Sequence, residues 1–100
     1  MVQAAVMPGP GMPIEIREYP RPVLSEGAVL LRTIYSEVCG TDVHLHAGHL
    51  SGVPYPLIPG HVNVGEIAEI CGRAVDLNGD PLRVGQVVTF LDVHETCGHC

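Results

Sequence analysis

Nine prolines and twelve glycines punctuate these 100 residues, and the spaces between them leave no room for a long helix. Proline lacks the N–H that an interior helical residue must donate, and glycine loses the most backbone freedom on folding, so the chain is held to short segments joined by turns. Ile14-Glu15-Ile16-Arg17-Glu18-Tyr19 alternates apolar and polar side chains as a half-buried strand does, and Pro20-Arg21-Pro22 ends it. After the turn Ser25-Glu26-Gly27, the run Ala28 to Val38 is rich in β-branched and aromatic residues and reads as a longer strand leading to Cys39. Between Cys39 and Gly48 one short helix or helical turn is expected, with Thr41 as N-cap, Asp42 at the positive end and Gly48 as the stop. A proline-rich loop, Pro54 to Gly60, precedes a strand over Val62 to Ile70, in which Gly65 marks a bulge or a close backbone approach. Asn78-Gly79 is a hairpin-type turn, and Gly85 to Leu91 forms a further strand. The expected fold is mostly β with a short helix, a mostly antiparallel, barrel-like domain.

A chain of this length holds one small domain. Its 46% hydrophobic and 16% charged residues suit a packed core rather than disorder. The formal charge of −6 repels phosphate backbones, so nucleic acid is not an expected partner. Met1 to Met7 is mildly apolar but lacks a basic flank, and Pro8-Gly9-Pro10 interrupts it before a signal-peptide core could form. Residues 1–13 are read as an N-terminal leader. No run approaches the roughly 20 apolar residues that span a membrane, and the cytoplasm is the expected location. There, four cysteines are expected as thiols or metal ligands rather than two disulfides.

Cys39-Gly40-Thr41-Asp42-Val43-His44 places a thiol, a hydroxyl, a carboxylate and an imidazole within six positions at the end of a strand. Zinc takes a thiolate directly, and a carboxylate can orient a histidine ligand through its second ring nitrogen. The plainer reading is a helix cap beside a buried cysteine. His61, after Pro59-Gly60, is by itself a common sort of turn residue, yet paired with Cys39 it would give two of the three protein ligands that a catalytic zinc needs. Cys97-Gly98-His99-Cys100 has the spacing at which one tight turn aims two thiolates at a tetrahedral zinc. A redox dithiol competes, but that motif belongs before a helix in a βαβ unit, and the residues before this one are strand-like.

In their order, Cys39-Gly40-Thr41-Asp42-Val43-His44, Pro59-Gly60-His61 with Gly65 following, Gly85-Gln86-Val87 and Cys97-Gly98-His99-Cys100 resemble the signatures of the zinc-containing alcohol dehydrogenase branch of the medium-chain dehydrogenase/reductase family. The resemblance runs from about Ile14 to Cys100. It implies that residues 14–100 are the front part of a GroES-like catalytic domain, a partly open β-barrel left incomplete within the structural zinc loop, with a Rossmann domain for NAD or NADP not included. It implies that Cys39 and His61 bind the catalytic zinc and that a third ligand comes later in the chain. Thr41 matches the hydroxyl that takes the substrate's proton, His44 the outer member of that relay, and Asp42 the carboxylate behind the histidine ligand. Cys97 and Cys100 match the first two of four structural-zinc cysteines.

The implied reaction is reversible oxidation of a small alcohol to its carbonyl, with hydride passing to the nicotinamide and the full-length enzyme a homo-oligomer. These 100 residues alone are not expected to catalyse it or to bind zinc tightly. There are two departures from the family's pattern. Val62 stands where a glutamate commonly follows the zinc histidine, and Gly85-Gln86-Val87-Val88 stands where Gly-Asp-Arg-Val is usual, a change expected to cost a surface polar contact. Three other readings stay open: a zinc-binding structural or interaction module, a catalytically dead relative, and a co-chaperonin that shares the barrel.

Overall fold

The computed structural model describes residues 1–90. Along them the elements run β1 (Val2–Val6), β2 (Glu15–Tyr19), β3 (Val29–Glu37), α1 (Gly40–Ala47), β4 (Val62–Ile70) and β5 (Val87–Thr89). The chain divides into two compact units: Met1–Val23 with Glu37–Gly60, and Leu24–Ser36 with the chain from His61 onward.

In the first unit β1 and β2 pair antiparallel, from Val2 opposite Tyr19 to Val6 opposite Glu15. Strand β1 lies in the stretch expected to be a leader, where the sequence gives no strand signal. Val6 and Met7 are among the few apolar side chains removed from solvent, and the Met7 backbone exchanges two hydrogen bonds with Leu57, at 2.7 and 3.1 Å. The β2 alternation is present, but its apolar members face outward: Ile16 is 69% exposed, whereas Arg17 is half-buried.

In the second unit three strands form an open sheet in the order β3-β4-β5. The central strand, β4, has the bounds its β-branched run predicts. Gly65 is where the backbones crowd: a Cβ there would lie 2.9 Å from the Leu31 Cβ and 3.0 Å from the Arg32 carbonyl oxygen. This close approach is what a glycine inside a strand signals. Two residues on, Ile67 is fully buried and is the centre of this unit's core. β5 starts later than expected because Gly85 turns with a φ of 95° and Gln86 stays in the turn; Leu91, the last residue of the expected strand, lies outside the described residues. The Gly85 N–H still reaches the Ile67 carbonyl, and the Ile67 N–H reaches that of Gln86, both at 2.8 Å. The Asn78-Gly79 turn is closed by Asp76, whose Oδ1 accepts the N–H groups of Asn78 and Asp80.

Candidate metal centre

Cys39 is the extended residue from which α1 starts, with φ −112° and ψ −178°. It is the N-cap, two positions before the Thr41 cap that the sequence suggests. Asp42 is the physical reason. Three residues past the cap, its Oδ2 accepts the backbone N–H of Cys39 at 2.9 Å, the backward-reaching half of a capping box. Thr41 therefore falls inside the first helical turn, where its side chain is exposed.

The second oxygen of the same carboxylate, Oδ1, accepts the N–H of Gly60 at 3.2 Å. Asp42 is only 4% exposed, a position where a carboxylate needs donors and benefits from the positive end of a helix. Gly60 has φ 91°, a conformation that side chains rarely adopt, and the next residue, His61, leads directly into β4. One buried carboxylate thus holds the backbone of Cys39 and of the residue preceding His61. Both Cys39 and His61 are half-buried. The Cys39–Asp42 link spans one helical turn and was foreseeable from the spacing; the Gly60 link spans 18 residues and was not.

At the other end of α1, Gly48 adopts φ 77°. Its N–H donates to the Leu45 carbonyl at 3.1 Å, and the His49 N–H to that of His44 at 3.0 Å, the pattern of a Schellman cap. The chain turns back, and Nδ1 of His49 comes 3.4 Å from Nδ1 of His44. His46 places its Nε2 2.9 Å from the Met12 carbonyl oxygen. Tyr55 donates its hydroxyl to the Leu45 carbonyl at 2.6 Å, tying the proline-rich loop to the helix end.

Cys39 and Cys71 are both half-buried thiols outside any disulfide. The Cys71 backbone exchanges hydrogen bonds with Gly27 and Ala28, which suits a packing role. Cys97 and Cys100 lie outside the described residues.

The profile of the alcohol dehydrogenase GroES-like domain matches residues 25–100. The chain belongs to the zinc-type alcohol dehydrogenase family, within its GroES-like domain. An alcohol dehydrogenase of Geobacillus stearothermophilus is 38% identical over 100 residues, covering 99% of this chain and 28% of that protein. An L-threonine 3-dehydrogenase of a Chelativorans species is 34% identical, covering 100% of this chain and 28% of its own length. Among solved structures, an alcohol dehydrogenase from Thermotoga maritima superposes with a TM-score of 0.80 at 33% identity, over 85% of this chain and 23% of that one. The chain spans about a quarter of the length of these relatives.

As the resemblance implies, among the described residues this GroES-like domain is mostly strand with one short helix, and its sheets are not closed. Of the two departures from the dehydrogenase pattern, Val62 is 42% exposed at the start of β4. Gln86 makes a local polar contact, its Oε1 accepting the Arg83 N–H at 2.8 Å. Among the described residues no helix is long and apolar enough to cross a membrane.

Proposed function

We propose that the complete protein is a zinc-dependent oxidoreductase that oxidises a small alcohol, or reduces the matching carbonyl, with NAD or NADP, and that Cys39 and His61 are ligands of its catalytic zinc. The observation that carries this reading is the Asp42 carboxylate, with one oxygen on the N–H of Cys39 and the other on the N–H just before His61. The donor chemistry fits: the thiolate of Cys39 with the imidazole of His61 is a donor set zinc accepts. Zinc bound by them would supply Lewis-acid polarisation of the substrate oxygen.

The chain's own residues do the rest. Asp42, held by its two N–H donors, is a positioning residue that fixes where the Cys39 and His61 segments start. The Thr41 hydroxyl accepts the proton that the alcohol gives up, and His44, three residues further along the helix, passes it to solvent. The loop Leu50 to Leu57 shapes the substrate's surroundings, and Cys97 with Cys100 supplies half of a structural zinc site. Since the chain covers about a quarter of its relatives' length, these 100 residues are inactive by themselves.

Replacing Cys39 in the complete protein tests the reading. Cys39→Ala should remove one zinc per chain, measured by elemental analysis, and abolish cofactor reduction with an alcohol, while the unfolding midpoint stays close to that of the parent. Full zinc content and undiminished turnover in that variant would refute it.

A further inference from the structure

The histidines at the end of α1 include a pair with an unusual mutual distance. His44 and His49 place their Nδ1 atoms 3.4 Å apart, with ring centroids 5.6 Å apart and planes tilted by 41°. That separation is longer than the roughly 2.7–3.2 Å of an ordinary N–H hydrogen bond. Two nitrogens bound to one tetrahedral zinc, each at about 2.0–2.1 Å, stand about 3.3–3.4 Å from one another. From this match we infer that His44 and His49 form a second metal site, a surface chelate for Zn²⁺ or a similar tetrahedral transition cation, completed by water.

Three features of the first unit support it. The spacing is imposed by backbone: the His49 N–H donates to the His44 carbonyl at 3.0 Å, and Gly48 at φ 77° makes the turn, so two residues that would point apart on a continuous helix face each other. Both side chains are exposed and open to an ion from solution. The pair also sits at the helix C-terminus, where the negative end of the macrodipole favours a cation. Imidazole donors select zinc and its neighbours over Mg²⁺ and Ca²⁺, which prefer oxygen. His46, one position from the helix end, is turned to the Met12 carbonyl and is not part of the chelate.

The test uses the full-length protein with its tighter zinc sites already filled by equilibration with zinc. Calorimetric titration with Zn²⁺ should show one additional, weaker ion per chain. His49→Gln and His44→Gln should each weaken that binding by about tenfold or more, since even the loss of an outer-shell partner costs 10- to 100-fold, and His46→Gln should leave it unchanged. In the parent, zinc should shift the ring signals of His44 and His49 together in histidine-labelled NMR spectra, a readout that needs no variant. No additional ion, equal affinity in His49→Gln, or a shift confined to one ring would overturn the inference. His44 is also the outer member of the proton relay proposed above, so an ion held on its Nδ1 should slow turnover when bound. Because the readout is binding rather than turnover, failure of this inference would leave the proposed catalytic ligands Cys39 and His61 untouched.

Discussion

Around α1 the contacts that fix the backbone are polar and individual: Asp42 on two N–H groups, Tyr55 on the Leu45 carbonyl, His49 on the His44 carbonyl. In the β3-β4-β5 sheet they are steric: Gly65 lets Leu31 and the Arg32 carbonyl approach, and Ile67 is fully enclosed. The difference bears on function, because directional hydrogen bonds place side chains more narrowly than close packing of apolar groups does. The residues with chemistry to offer cluster in the polar segment, and the sheet supplies stability.

That contrast can be broken by substitutions in the complete protein. The largest expected loss is in the sheet: Ile67→Ala removes a fully buried side chain and should cost about 3 kcal/mol in denaturant unfolding, with zinc content unchanged. Asp42→Ala strips the acceptor from the N–H groups of Cys39 and Gly60 and should cost about 2 kcal/mol. Unlike the first, it should also lower zinc occupancy, because both proposed ligand segments lose their anchor. Tyr55→Phe deletes a single hydrogen bond to the Leu45 carbonyl and should cost about 1 kcal/mol. If Ile67→Ala released zinc while Asp42→Ala retained it, the division of labour between the two regions would be wrong.

How far each region can be read from sequence follows from the same physics. β4 was legible to its bounds because its β-branched run needs only a pleated, half-buried surface, and Gly65 announced its own crowding. β1 was not: Gln3, Ala4 and Ala5 have little intrinsic strand preference, and pairing with β2 decides their conformation. The alternation in β2 told which residues share a face, but not whether that face is covered, and Ile16 is exposed. The N-cap was misplaced because cysteine is not a favoured cap, and Asp42 overrides that preference. The short-range parts of the candidate site, Cys39 to His44, were visible as a motif, whereas the Gly60 contact and the His44–His49 approach depend on left-handed glycines whose consequences are three-dimensional.

Which atoms hold the proposed catalytic zinc is open to direct measurement. Anomalous diffraction at the zinc edge from crystals of the zinc-loaded, full-length protein addresses it directly. A zinc peak is expected about 2.3 Å from Cys39 Sγ and about 2.0–2.1 Å from a ring nitrogen of His61. A zinc bound by other residues, with Cys39 and His61 coordinating nothing, would contradict it.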